Sequence, residues 1–272
     1  MGRKEILYKD NQTIYLDEGA LVYGSIYAKG CRNLTIRGRG ILCSSKENHG
    51  DGRQPQIETF DCNGFKVEGI LLRDTPNWTL KIVGSTGVHI DNIKEIGWIM
   101  NSDGMDFICC RNVLVENTFQ RNYDDNVTIK AFNGKTDYVT AHTASDGSFT
   151  DASIWTVYYL AQNKFDVYDY EIRNCVFWAD KAHNMLVGPE ARGIAFRNIR
   201  FHDNIVLENR QNGRITGVKD IKSFDEKEIL LFTQAGKLVI KGEQLHVKQL
   251  DLEKGEVDLE GKVDSLTSVS YT

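Results

Sequence analysis

The chain has 272 residues and a formal net charge of -5, with 33 Lys and Arg against 38 Asp and Glu. That balance leaves no basic stripe to neutralise a phosphate backbone, so nucleic acid is not expected as a partner. No apolar run approaches the roughly 18 residues of a membrane-spanning helix, and the charged start from Met1 to Asp10 lacks a signal-peptide core, so the sequence reads as soluble and, by default, cytoplasmic.

Composition divides the chain. All six Cys, four Trp and three Pro lie before residue 190, whereas the stretch after 202 is dense in Lys, Asp and Glu. Two units are expected, 1–201 and 202–272, with no linker between them.

Along the first unit a short motif recurs, apolar residues in alternation followed by Gly or Asn. It runs through Leu34, Ile36 and Gly38; Phe65, Val67 and Gly69; Val88, Ile90 and Asn92; Val113, Val115 and Asn117; Tyr170, Ile172 and Asn174; and Ile194, Phe196 and Asn198. The steps between the Gly or Asn positions are 31, 23, 25, 57 and 24 residues. Period-2 strands repeating about every 24 residues, each closed by a residue that tolerates left-handed φ, predict a solenoid of stacked parallel strands. Stacked Asn side chains can then hydrogen-bond from coil to coil. The step of 57 accommodates one coil plus an inserted loop, placed within 132–165.

Seven residues before the repeated Gly or Asn stands a column of mostly small residues: Cys31, Cys62, Ser85, Cys110, Val167 and Ala191. Small buried residues stacking inside a coil explain it better than disulfides do. No CxxC or His/Cys spacing suggests zinc, so neither a metal nor a cofactor is expected.

Three carboxylates stand against this periodicity: Asp103 in the stretch Asn101 to Gly104, and the pair Asp124 and Asp125. Asp103 and Asp125 are 22 residues apart, about one coil, so adjacent coils place them on one face with strands about 4.8 Å apart. Counting from Asn174 past the insertion brings His183 to the next coil in nearly the same column. Carboxylates this close raise one another's pKa, leaving one protonated as an acid and another ionised as a base, which glycosidic cleavage requires. Any one of these Asp residues alone would be an ordinary turn residue; their convergence is what points to chemistry. Trp98, Trp155, Tyr158, Tyr159 and Trp178 are candidates for stacking on sugar faces.

After residue 202 the repeat gives way to short alternating runs, 215–221, 229–233, 237–241, 245–250 and 257–259, with turns at Ala235-Gly236 and Lys254-Gly255. They predict a small antiparallel β meander without an acid, histidine or nucleophile cluster. A solenoid that stops at Phe201 leaves an open apolar end, which the meander is expected to cover unless the chain is a truncated or fused reading frame.

Two resemblances follow. Asn101-Ser102-Asp103-Gly104, then Asp124-Asp125 one coil later, then His183 before Asn184 and Gly188, resembles glycoside hydrolase family 28, the polygalacturonases and their relatives, over about 14–201. The resemblance implies a right-handed single-stranded parallel β-helix and inverting hydrolysis of a pectin-like or other acidic polysaccharide. It makes Asp124 the general acid, Asp103 and Asp125 the activators of water, and Asn101 and His183 substrate-binding residues, to which Trp178 is added as a stacking candidate. The family's Gly-His-Gly reads Ala182-His183-Asn184 here, its Thr reads Ser102, and its Arg-x-Lys segment one coil further on is not found. A calcium-dependent polysaccharide lyase on the same solenoid would need a basic residue in the acid column, and no Arg falls there. Asp203 to Arg210, Ile215 to Asp220, Ser223 to Glu226, Ile240 to His246 and Leu252 to Glu256 resemble the YabP family of sporulation proteins. That likeness implies a spore-assembly factor acting through protein contacts, and an alternative in which the β-helix is inert or only binds glycan.

Overall fold

The computed structural model describes residues 5–7, 9–47, 55–131, 166–188 and 195–269. The predicted insertion at 132–165, with Trp155, Tyr158 and Tyr159, lies outside the described residues, as do Ala191 and Ile194.

Each coil turns where a residue accepts positive φ. One column of such residues sits at or just before the start of the repeated strand: Asn11, Asn33, Gly64, Gly87, Asn112, Asp169 and Asn198. A second follows it: Gly38, Gly69, Asn92, Asn117, Asn174 and Asp203. Between them lie the in-register parallel strands Thr13–Leu16, Arg32–Gly38, Asn63–Glu68, Thr86–Asp91, Arg111–Glu116, Val167–Arg173 and Phe196–His202. The inserted step resolves as predicted, with Val113 opposite Tyr170 and Val115 opposite Ile172. The last repeat does not. Tyr170 pairs with Ile199 and Ile172 with Phe201, so the turn residue is Asp203, and Asn198 belongs to the column at the strand's start. The small-residue column correspondingly ends on Phe196 opposite Val167. Side-chain bonds do run from coil to coil, as from Asn33 to Asn11 (2.9 Å) and from Asn117 to Asp91 (2.9 Å).

Two further sheets complete a right-handed parallel β-helix. One contains Ile57–Phe60, Leu80–Val83, Met105–Ile108, Val127–Lys130 and Met185–Val187; the other contains Leu71–Arg73, Lys94–Ile96, Phe119–Asn122, Val176–Ala179 and Ile205–Glu208. Inward columns such as Leu34, Phe65, Val88, Val113 and Tyr170 fill a single buried core. All six cysteines are buried thiols, none of them in a disulfide. Burial pushes the Cys62 thiol up to about 11 and that of Cys110 up to about 12, which keeps them inert packing groups.

Parallel stacking runs past Phe201. Ile205–Glu208 lies beside Val176–Ala179, and only then does the chain reverse into Asn212–Thr216, antiparallel to it. Val218–Phe224, Glu228–Thr233, Gly236–Asp251 and Glu256–Val269 follow as a meander, so the third sheet is continuous across twelve strands. Two of the predicted runs merge into the single strand Gly236–Asp251, interrupted by a register shift near Gln244, whose φ is 53°. A second core of Leu207, Ile215, Leu231, Ile240, Val257 and Leu259 forms there, and Trp178 and Ile205 of the solenoid pack against it. The meander thus covers the end of one sheet. Among the described residues no strand pairs beyond Met185–Val187 or Phe196–His202 in the other two.

At Gly38 φ is +135°, and a Cβ would sit 1.9 Å from the Leu16 carbonyl oxygen of the coil beneath. Both the dihedral and the contact forbid a side chain, so Gly38→Ala is expected to cost about 3 kcal/mol or more. Urea unfolding of the variant against the parent measures it.

Candidate active site

The turns that lead from the third sheet into the sheet of Met105–Ile108 and Val127–Lys130 carry the predicted acids on successive coils. Met105, Val127 and Met185 are register partners, so the positions two residues earlier, Asp103, Asp125 and His183, form one column. Backbone bonds lock it: Gly104 N donates to Asp125 O (2.8 Å), and Asn126 N donates to His183 O (2.9 Å). Asp124 joins from the side, its Oδ2 accepting from the backbone N–H of Asn101 (3.1 Å), which has a left-handed φ of 61°. Oxygens of Asp103, Asp124 and Asp125 all lie within 4.8 Å of one another. Asp125 Oδ1 also accepts from His183 N (2.8 Å) and faces His183 Nδ1 (3.1 Å). His183 is exposed and Asp103 is buried, which gives the cluster an open side and a closed side.

Burial pushes the Asp103 carboxyl up to about 9, with Asp106, Asp124 and Asp125 adding repulsion and Lys130 opposing it. Its Oδ1 is buried without a hydrogen-bond partner, an expensive position for an anion and a cheaper one for a protonated acid. The three carboxylates are close enough to share a cation, as are His89, Asp91 and Glu116 on the outer face of the strands Thr86–Asp91 and Arg111–Glu116.

Sequence reasoning missed the layer beneath. Asp106 is fully buried, bonded to Thr128 and paired with Lys130 (3.0 Å), and one coil back Lys81 pairs with Glu58 (3.0 Å). Lys130 also sits 4.2 Å from the ring centre of Trp78. On the core side a chain of amides runs from Glu95 through Gln120 and Asn122 to Asn126 and Asn184. Burial raises the Glu95 carboxyl to about 8. A charge in each of two otherwise apolar strands, Met-Asp-Phe-Ile and Val-Thr-Ile-Lys, was the available signal for the Asp106 and Lys130 pair.

The aromatic candidates part company. Trp98 is 68% exposed beside the acid turn, its Nε1 donating to Asp74 Oδ1 (3.1 Å). Trp178 stands away from the cluster, packed on the second core with the Arg121 guanidinium 4.6 Å and that of Arg210 5.8 Å from its ring centre. Its predicted contact with a sugar face would compete with that packing.

Asp103 and Glu95 keep their protons in the folded state to about 9 and about 8, whereas unfolded carboxyls ionise near 4. Between those values the unfolded chain binds fewer protons, so stability falls as pH rises. The urea midpoint is therefore expected to drop between about pH 5 and about pH 8, and less steeply in Asp103→Asn and Glu95→Gln. Separately, a Cβ on Gly104 would lie 2.3 Å from Gln120 Nε2 and 2.5 Å from Asn126 O. Gly104→Ala is expected to spread the acid column and cost both stability and any catalytic turnover, read by thermal unfolding and product assay.

Residues 200–271 match the YabP family, and 65 residues are 43% identical to the spore protein YabP of Bacillus subtilis (strain 168), covering 24% of this chain and 64% of that protein. Among solved structures, a family 28 exopolygalacturonase of Yersinia enterocolitica aligns over 74% of this chain and 50% of its own, at 15% identity and a TM-score of 0.54. A hyperthermoactive exopolygalacturonase of Thermotoga maritima aligns over 74% and 58%, at 17% identity and a TM-score of 0.49. The chain therefore spans half the length of the first enzyme and less than two thirds of the spore protein. The Yersinia likeness is one of fold, the parallel β-helix. With residues 25–215 matching glycosyl hydrolases family 28, the chain belongs to that family, and it carries a YabP-like segment at its C-terminal end.

Proposed function

We propose that the solenoid hydrolyses glycosidic bonds in a pectin-like or other acidic polysaccharide. Asp124 is the general acid in this reading, Asp103 and Asp125 activate the water, and Asn101 and His183 orient the substrate and the cluster. The observation that carries it is the convergence of three carboxylates within 4.8 Å, from turns of adjacent coils, beside the exposed His183. Acids this close cannot all ionise, so the cluster enters the reaction holding a proton. Burial favours that proton on Asp103 in the free protein, so activating a water requires it to pass through a water to Asp124, whose oxygen lies within 4.8 Å. His183 faces Asp125, not Asp124, which suits a role in fixing the base and leaves the donor free.

Inversion is inferred from the family. The acid spacing alone is nearer the roughly 5 Å of retaining pairs than the roughly 6.5–9.5 Å of inverting ones, so stereochemistry is a sharp test. Proton NMR of the first-formed anomer from a galacturonan oligosaccharide is expected to show the inverted configuration; the retained one would sink the assignment of Asp103 and Asp125 as bases.

The 43% identity to a spore protein favours a second reading, in which the segment 202–272 is a distinct unit serving spore assembly through protein contacts and 1–201 is an inert or glycan-binding β-helix. Reducing-sugar release from pectins, galacturonans and rhamnose-containing polysaccharides separates the two. The hydrolase is expected to release sugar equally in EDTA, and Asp124→Asn to lose about 10²–10⁴-fold of it. Unsaturated products that vanish with EDTA would point to a calcium-dependent lyase instead.

A further inference from the structure

Where the meander joins the solenoid, a cleft of about 430 Å³ opens whose walls come from both. His183 and Glu208 belong to solenoid coils; Arg214, Lys248 and Asp258 belong to the meander, with Leu259 among the apolar lining. His183 is also the residue whose backbone N and Nδ1 meet Asp125, so one side chain borders both the cleft and the carboxylate cluster. We propose that this cleft is a sugar-binding subsite completed by the C-terminal module, which takes a hydroxyl-rich pyranose ring next to the bond held at the acids.

The chemistry of the walls selects that ligand class. Arg214 forks onto Asp258 through Nε (2.7 Å) and Nη2 (2.8 Å), which leaves guanidinium N–H groups and carboxylate lone pairs unspent at the rim. A paired donor and acceptor in one plane matches two neighbouring hydroxyls, each of which both gives and takes a hydrogen bond. The Lys248 ammonium is paired with Glu260 and 60% exposed, free to turn toward a bound ring. Two cations, Arg214 and Lys248, face two acids, Glu208 and Asp258, so the lining carries no net charge at neutral pH and holds no surplus for an anion alone. Met185, Val206 and the aliphatic stem of Lys248 supply apolar surface for the C–H face of a ring. The module's sheet is hydrogen-bonded into the solenoid's third sheet, so these walls are held at a fixed distance from His183.

The inference rests on the hydrolase reading for its neighbouring bond, and its test separates the two. Full-length protein carrying Asp124→Asn, which is expected to bind without cutting, is titrated calorimetrically with trigalacturonate and with its neutral methyl ester. Both are expected to bind, and Arg214→Ala and Lys248→Ala are each expected to weaken both by roughly tenfold, as for loss of one or two hydrogen bonds. Lys248 is an exposed strand residue, so its variant keeps the fold even if loss of the Arg214–Asp258 pair destabilises Arg214→Ala; a thermal melt of each checks this. Unchanged affinity in both variants, no binding of either sugar, or binding confined to the charged form with steep salt dependence overturns the proposal. Turnover in the parent with KM unmoved by the wall variants would refute the subsite and leave the hydrolase. Wall-dependent binding in a parent that never cuts would do the reverse.

Discussion

Parallel, in-register backbone pairing between coils is the constraint from which the rest of this molecule follows. Strands held about 4.8 Å apart with unit register put each side chain directly over its equivalent one coil earlier. Apolar positions then become columns of a continuous core, and turn positions become columns of left-handed residues. The same rule forces Asp103 over Asp125 and Asp125 over His183, because the bonds from Gly104 N and Asn126 N admit no other register. Repulsion among the acids cannot relax by sliding apart without breaking these bonds. A proton held at the cluster is therefore a consequence of the ladder as much as of the acids themselves.

The surroundings of the cluster follow the same logic on both sides of the sheet. Core-facing amides tie the coils together, Gln120 and Asn122 each donating to Glu95, Asn122 to Asn126, and Asn126 to Asn184. On the other face Asp106 and Lys130 form a buried ion pair. Buried pairs of this kind add little net stability, but removing one partner is costly, because the other is left charged and unpaired. Such a layer holds the acid turn in one geometry, which a site of three mutually repelling groups needs.

Continuity of the third sheet links the two matched families physically. Their matches overlap over 200–215, the region that contains the last parallel strand, Ile205–Glu208, and most of its first antiparallel partner. Val206 packs on the solenoid core while Leu207 and Ile205 pack on the meander core, so one short strand serves both interiors by its two faces. This alternation lets a solenoid end in a meander without exposing that sheet's edge.

The period of the repeat was legible because it rests on steric facts local to each coil: alternating apolar residues, then Gly or Asn. Its last turn was misread by five residues, since Ile194, Phe196 and Asn198 mimic the motif that Ile199, Phe201 and Asp203 actually form. Asp takes the left-handed conformation there as readily as Asn does, and only the pairing partner distinguishes them. The acid column was legible by counting along the repeat, which needs no side-chain detail. Asp106 and Lys130 were not, because a charge in a strand normally points to water, and whether that face is covered depends on packing that no local pattern encodes. The surroundings of Trp178 were illegible for the same reason in reverse. Strand alternation places it on the outer face, where a sugar would stack, but the outer face at that coil is where the meander builds its own core. What periodicity conveys is position along the ladder; what it omits is which faces of the ladder a later segment will return to cover.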